Sequence, residues 1–430
     1  MKSRLLALPA LLALFGACGH TDTGPAPSGS TSAAPVALQN AAPVAAPAVG
    51  WRAEAEDAVP VEKFADGERA FRTVKDTLLA SYYASGLTED ELYRAAAEGM
   101  LARIDPKMQK WNKLLSPAEL AEMEADIKGE VVGVGVKMNY DPATGHIQVL
   151  GTVAGSPAER EKLQAGDEIL SVDGKLYKGK PMRDVIHDIR GKAGEPVTLT
   201  VLRDDKVFAV TLKREVVPLD VASGGMLGSN VGYARIHAFH EKTPGILKGI
   251  LGTLGGARAM VLDLRANGGG LFDEAISCAS LFLKPGTPIV KVDRRGQASE
   301  TFAAKGERLV GDMPLVVLVN EETSSGAELV AAALAEGRGA QLVGTHTFGK
   351  WSVQKLDKLS NGYAMKYTTS LFSTPSGRSF GGQGMPVDIE VAFVGGGERA
   401  LDKLLANPDI GKRAAEDPQL RTAIGLLRPR

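Results

Sequence analysis

In the stretch NEETSSGAELVAAALAEG, two adjacent serines, Ser324 and Ser325, open an apolar run of helical spacing just after the strand-like PLVVLV. A hydroxyl at a helix start caps an unpaired backbone N–H, which alone accounts for a serine there. The alternative is nucleophilic attack, and that needs a base to take the hydroxyl proton. Two candidates share one downstream segment, VGTHTFGKWSVQ: His346 and Lys350. Lys350 is the stronger, because it leaves a glycine turn after a strand expected beside PLVVLV, and an amine walled off from water can accept a proton. Bringing an ammonium from its ordinary ~10.4 to roughly 7 or 8 takes ~3 to 4 kcal/mol of differential solvation, which burial can supply.

An attacked carbonyl also needs donors for the oxyanion that forms. The N–H of Gly326 stands at the helix start, where backbone donors lack intrahelical partners. A second donor can come from the run Asn267-Gly268-Gly269-Gly270, where glycine lets a substrate backbone approach closely. That run lacks the lysine and hydroxyl of a phosphate-binding loop. Histidines stand at 20, 146, 187, 237, 240 and 346. His237 and His240 have metal-pair spacing but no third ligand nearby in sequence, so no metal or other cofactor is expected.

The elements that must position these groups follow from the patterning. Of the 430 residues 44% are hydrophobic and 23% charged, enough for two or three domains with real cores. The formal charge of -1 and the scatter of basic residues give no electrostatic case for nucleic acid. Residues 64–128 read as packing helices, with Phe64, Phe71, Val74, Leu78 and Tyr82 at helical spacings and Ser116-Pro117 as cap and first turn. Short β-rich runs broken by glycine and acidic turns make 131–215 a small β module containing one helix, MRDVIHDIR. From 218 to 395 strands alternate with helices: an α/β domain, a mixed sheet flanked by helices, with active groups expected in the loops after strands. Residues 396–430 read as a helical tail of little information.

Two resemblances sharpen this reading. The runs GVGV, GSPAEREKLQAGDEILSVDG and IRGKAGEPVTLTVLR resemble a PDZ domain of the bacterial protease type, with Glu161 and Lys162 where Ala-Gly is usual. In such a module the backbone of Gly133, Val134, Gly135 and Val136 can converge on a free carboxylate while an extended peptide adds as a strand. The order LDLRANGGG, NEETSSGAEL, GTHTFGKWSVQ, downstream of that module, is similar to the C-terminal processing peptidases, or tail-specific proteases. The resemblance covers residues from about 64 to 394 and implies an α/β catalytic domain with an inserted PDZ-like domain and an N-terminal helical segment.

In that family the nucleophile lies three residues before a glutamate and twenty-five before the lysine, so the resemblance selects Ser325 with Glu328 and Lys350, and leaves Ser324 as a neighbour. It also implies Gln354, four residues past the lysine, as an orienting group, with Glu328 competing for that role, and Gly269 or Gly270 as the second oxyanion donor. Three positions depart from the pattern: Gly268 for Pro, Trp351 for Gly, and Val387 before Asp388 where Pro is common. Trp351 can help to desolvate Lys350 or can block the cleft.

The implied activity is a serine endopeptidase acting on proteins recognised by free C-terminal tails. The rivals are an inactive tail-binding adaptor and a Ser/His hydrolase using His346. The opening MKSRLLALPALLALFGAC has two cations, a short apolar run and small residues before Cys18, and its end resembles a lipoprotein signal. Residues 1–17 are then an export signal, Cys18 the lipidated residue, 18–50 a disordered Ala/Pro/Ser/Thr/Gly tether, and the location the periplasm or cell envelope, lipid-anchored to a membrane. Cys278, the other cysteine, is expected as a buried thiol.

Overall fold

The structure, a computed structural model, describes residues 63–104, 111–141, 144–228 and 230–392, then Leu401, Leu404, Leu405, Asn407 and residues 409–427. Residues 1–50, on which the expected signal, lipidated Cys18 and tether fall, lie outside the described residues.

The run AMVLD forms the strand Ala259–Asp263 and LVVLV the strand Leu315–Val319, every residue of both buried. Such two-sided burial belongs to the middle of a parallel sheet covered on both faces. Their neighbours complete a six-stranded sheet in the order Ile389–Glu390, Gln341–Gly344, Leu315–Val319, Ala259–Asp263, Val231–Ile236, Ala222–Leu227. All pairs are parallel except the last, which makes the sheet mixed. Alternation sends Met260, Leu262, Val317 and Val319 to one face, against the helices Thr243–Thr253, Phe272–Ser280 and Gly326–Arg338. Val261, Val316, Leu318 and Val343 go to the other, against Leu420 and Ala423 of the helix Pro418–Leu426. Cys278 is fully buried on the first face, and burial pushes its thiol well above the ordinary range.

The C-terminal residues therefore differ from the expected uninformative tail. Arg413, Asp417 and Gln419 are at most 4% exposed. Arg265 joins Asp263 to Asp417 through its Nη2, at 2.6 and 2.7 Å, and donates from Nη1 to Gln419 Oε1. These helices close one face of the sheet, and Asp417 and Gln419 are held inside by their pairing with Arg265.

A second sheet, unforeseen in the sequence, orders Lys113–Leu115, Ala364–Ser373, Pro288–Arg294 and Glu300–Ala303, with Ser352–Lys358 also on Ala364–Ser373. The expected all-helical span 64–128 thus contains one strand. Its first helix, Gly67–Ser81, buries no residue, so the stripe read as packing is largely outward: Phe71 and Val74 are 40 and 57% exposed. The helix Pro117–Ile127 starts as predicted, with a Ser116–Glu119 capping box and Pro at its first turn.

The β module is a five-stranded antiparallel sheet from Val136–Asp141 to Lys206–Lys213 with the helix Met182–Ile189 on it. The entering strand Glu130–Gly133 pairs with the leaving strand Glu215–Pro218, so both ends of the insertion meet at one ribbon. Lys162, the departure from Ala-Gly, adopts φ 61°, the left-handed turn that glycine takes without cost. The turn survives because Leu163 N–H bonds the Ala158 carbonyl and Leu163 is 4% exposed. Lys162→Gly should raise stability by up to ~1 kcal/mol, seen as a higher urea midpoint; an unchanged or lower midpoint would show that the lysine turn carries no strain.

Candidate active site

The turn between the strand Leu315–Val319 and the helix Gly326–Arg338 is built by side chains folding back on the backbone. Thr323 Oγ1 donates to the Leu264 carbonyl and accepts from Asn320 N–H, while Asn320 Oδ1 accepts from Ala266 N–H. Ser324 is 8% exposed and donates to the Gly268 carbonyl at 2.9 Å, and its N–H reaches the Asn267 carbonyl. Ser324 thus fastens the turn to the glycine loop. Ser325 is the residue that caps the helix, and it sits at φ 56°, ψ -117°, a conformation that costs a non-glycine residue about 1 to 3 kcal/mol. A strained serine at a strand-to-helix turn presents its hydroxyl clear of the sheet.

The glycine loop lies directly against it. A Cβ on Gly269, whose φ is +97°, would stand 2.8 Å from Ser325 Cβ, and one on Gly270 would stand 2.2 Å from the Phe239 carbonyl oxygen. Glycine is required at both places. Gly268 has open space where a Cβ would stand. Gly269 N–H donates to Asn267 Oδ1, and its carbonyl accepts from Phe239 N–H. Gly326 N–H heads the helix beside this loop, in the turn where donors have no intrahelical acceptor.

Glu328 ties this turn to the segment of Lys350. It is wholly buried, and its two oxygens take five donors. Oε1 accepts from Thr347 Oγ1 at 2.5 Å, Gly349 N–H at 2.8 Å and Trp351 Nε1 at 3.1 Å. Oε2 accepts from Ser325 N–H and Lys350 N–H, each at 2.8 Å. Burial pushes the Glu328 carboxyl above its ordinary value, and the donors from Thr347, Gly349, Ser325 and Lys350 oppose that rise. It thereby pins the backbones of Ser325 and Lys350 together, a contact that the sequence did not show.

Lys350 is half-buried, with Nζ 4.2 Å from the centroid of the Trp111 ring. Trp111 also packs edge-on to Phe348 at 6.0 Å. Sequence reasoning missed Trp111, which lies far upstream in a segment without a motif. Trp351 is 3% exposed and packed on Phe372 and Phe380, and its indole N–H serves Glu328. Gln354 Nε2 donates to Ser352 Oγ at 2.9 Å and Thr368 Oγ1 at 3.3 Å. His346 is exposed, with Nδ1 2.9 Å from the Thr347 carbonyl oxygen. Asp388 both donates to and accepts from the backbone of Leu342, and so fixes the edge of the sheet despite the departure at Val387.

The loop Gly133–Val136 lies away from this turn, at a cavity between the β module and the sheet domain. Val134 is buried, and a Cβ on Gly135, at φ +77°, would collide with Ser156. His237 bonds Ser223 Oγ through Nε2, and the His240 side chain packs at Gly129.

An α/β sheet with a strained serine turn against a glycine loop, carrying an inserted five-stranded module, is the architecture of a PDZ-containing peptidase. Residues 230–391 match Peptidase family S41 and residues 131–213 match the PDZ domain. A probable CtpA-like serine protease of Staphylococcus aureus is 33% identical over 319 residues, 73% of this chain and 63% of that protein. The carboxy-terminal-processing protease of Bartonella bacilliformis is 33% identical over 311 residues, 70% of each chain. The chain belongs to peptidase family S41. The match spans less than two thirds of the length of the staphylococcal relatives. A putative S41 protease from Bacteroides fragilis shares the fold at 17% identity and a TM-score of 0.55, over 83% of this chain and 96% of that one.

Glu328→Gln replaces one acceptor by an NH₂ facing donors and removes the charge. It should lower stability by about 2 to 4 kcal/mol in urea denaturation. An unchanged midpoint would mean that the five bonds do not hold the two segments.

Proposed function

We propose that the chain is a serine endopeptidase that cuts proteins recognised by their C-terminal tails, with Ser325 as nucleophile and Lys350 as base. The observation that carries this reading is the sharing of Glu328 Oε2 by the N–H groups of Ser325 and Lys350, which holds their backbones side by side. Neutral Lys350 takes the Ser325 hydroxyl proton as Oγ attacks the scissile carbonyl carbon. The oxyanion is received by Gly326 N–H and, because Gly269 N–H is spent on Asn267, by Gly270 N–H. The lysine proton passes to the leaving amine as the C–N bond breaks. Water, deprotonated by the same amine, then releases the acyl group. With Gln354 Nε2 engaged by Ser352 and Thr368, its Oε1 is the group that orients the lysine.

In this structure Lys350 Nζ also lies 4.2 Å from the centroid of the Trp111 ring, a contact that favours the charged amine. That resting contact also suits a protein that holds tails without cutting them. Mass spectrometry of an unfolded, tailed protein incubated with each variant separates the readings. Ser325→Ala and Lys350→Ala should lose at least about 1,000-fold in cleavage, Gln354→Ala about 10-fold, and His346→Ala nothing. Cleavage by Ser325→Ala at the unaltered rate rules out the assignment, and its loss in His346→Ala alone points to a Ser/His hydrolase.

We also propose export and lipidation at Cys18 with a periplasmic or envelope location, supported by the sequence LFGAC. Among the described residues no helix is long and apolar enough to cross a membrane, so anchoring would rest on the lipid. Cys18→Ser should move the protein from the membrane to the soluble fraction of a bacterial host; an unchanged membrane fraction contradicts lipidation.

A further inference from the structure

A cavity of about 620 Å³ separates the β module from the sheet domain. One wall is apolar and belongs to the module: Val136 and Met138 of an edge strand facing Ile186 and Ile189 of the helix. The opposite wall belongs to the sheet domain and includes Arg235, His237 and Arg413.

The charges behind that second wall do not balance. Arg235, Arg265 and Arg413 are 7, 0 and 4% exposed, against Asp263 and Asp417 at 0 and 1%. Arg265 pairs with both carboxylates, Asp263 bidentately at 2.9 and 2.6 Å and Asp417 Oδ2 at 2.7 Å, the latter an ion pair that leaves Oδ2 without a hydrogen bond. Arg235 reaches only the carbonyls of Leu405 and Arg265, at 3.4 and 3.5 Å, and its Nε has no hydrogen-bond partner. Arg413 donates to the Tyr233 hydroxyl at 3.2 Å, and its Nε is likewise unpartnered. Among the described residues neither has a carboxylate within salt-bridge reach. Of the other charged groups lining the cavity, Lys137 and Asp220 pair with each other at 3.0 Å, and Arg190 has Asp126 at 3.9 Å. His237 is pushed down to about 4, by burial and then by Arg235, and is neutral at neutral pH.

Buried, underpaired guanidinium groups are costly unless an anion meets them. A peptide strand added along Val136–Asp141 would alternate its side chains, one set toward the apolar wall and the intervening set away from it. We propose that Arg235 and Arg413 form an acidic-residue subsite, which reads Asp or Glu among the intervening side chains of a docked tail. This rests on the reading that the groove holds C-terminal tails and adds a preference supplied by the sheet domain. Acidic tails are thereby favoured by a wall outside the module that carries the Gly133–Val136 loop.

The test uses the Ser325→Ala protein and fluorescent ten-residue peptides with an apolar last residue and Glu, Gln or Lys at alternate upstream positions. The Glu peptide should bind about tenfold tighter than the Gln peptide and the Lys peptide more weakly still. Added salt should narrow the Glu–Gln gap. Arg413→Gln should erase the gap without weakening the Gln peptide, and Arg413→Lys should keep part of it, with melting curves checking the fold. Amidating the peptide end should weaken all three alike, which separates a side-chain carboxylate from the terminal one. Equal Glu and Gln affinities would overturn the subsite and leave tail binding intact; failure of every peptide would overturn both. Should Arg413→Gln not fold, the peptide series and the salt dependence still decide.

Discussion

One buried carboxylate governs the arrangement. Glu328 has no solvent contact, and every direction in which its oxygens can accept is taken by a donor from the serine turn or the lysine segment. A buried carboxylate is tolerable only when it is thoroughly hydrogen-bonded, so its burial and its five partners are one fact. Because one oxygen receives the N–H groups of both Ser325 and Lys350, neither segment can shift without breaking a charge-assisted bond. The conformation of Ser325 is sustained by the same carboxylate.

The sheet supplies the rest of the rigidity. Successive residues of its two central strands enter opposite cores, so the loops at their ends are anchored from both faces. Asp263 and Arg265 close the first of these loops from below through the ion pairs to the C-terminal helices, and Asn267 bonds the Ile236 carbonyl. The serine turn then zips onto the same loop through Thr323 and Ser324. The placement of Ser325 and Lys350 is thus a consequence of a polar network laid over a two-sided core.

Much of this was legible in the residues. The strand and helix runs around Ser325 and the glycine run were readable from periodicity and turn chemistry, and the resemblance to the tail-specific proteases selected Ser325 over Ser324. What was hidden was set by contacts distant in sequence. Trp111 meets Lys350 only through the tertiary fold, and Trp351, beside the lysine in the chain, turns inward to Glu328. Charged residues ordinarily read as exposed, which disguised Arg413 and Asp417. The spacing of Leu420, Ala423, Ile424 and Leu427 behind the cap Asp417 was the available sign that those helices pack on the sheet. The second sheet escaped because its strands are half-polar and come from three stretches far apart in the chain, 113–115, 288–303 and 352–373.

The central claim is that a shared carboxylate puts the serine under the control of the lysine. The most direct measurement is the rate at which a fluorophosphonate labels the protein, with the adduct located by peptide mass spectrometry, in the unaltered chain and in Lys350→Ala. The account predicts one adduct, on Ser325, formed at least ~100-fold more slowly without the lysine. Equal rates in the two proteins, or an adduct confined to another residue, would contradict it.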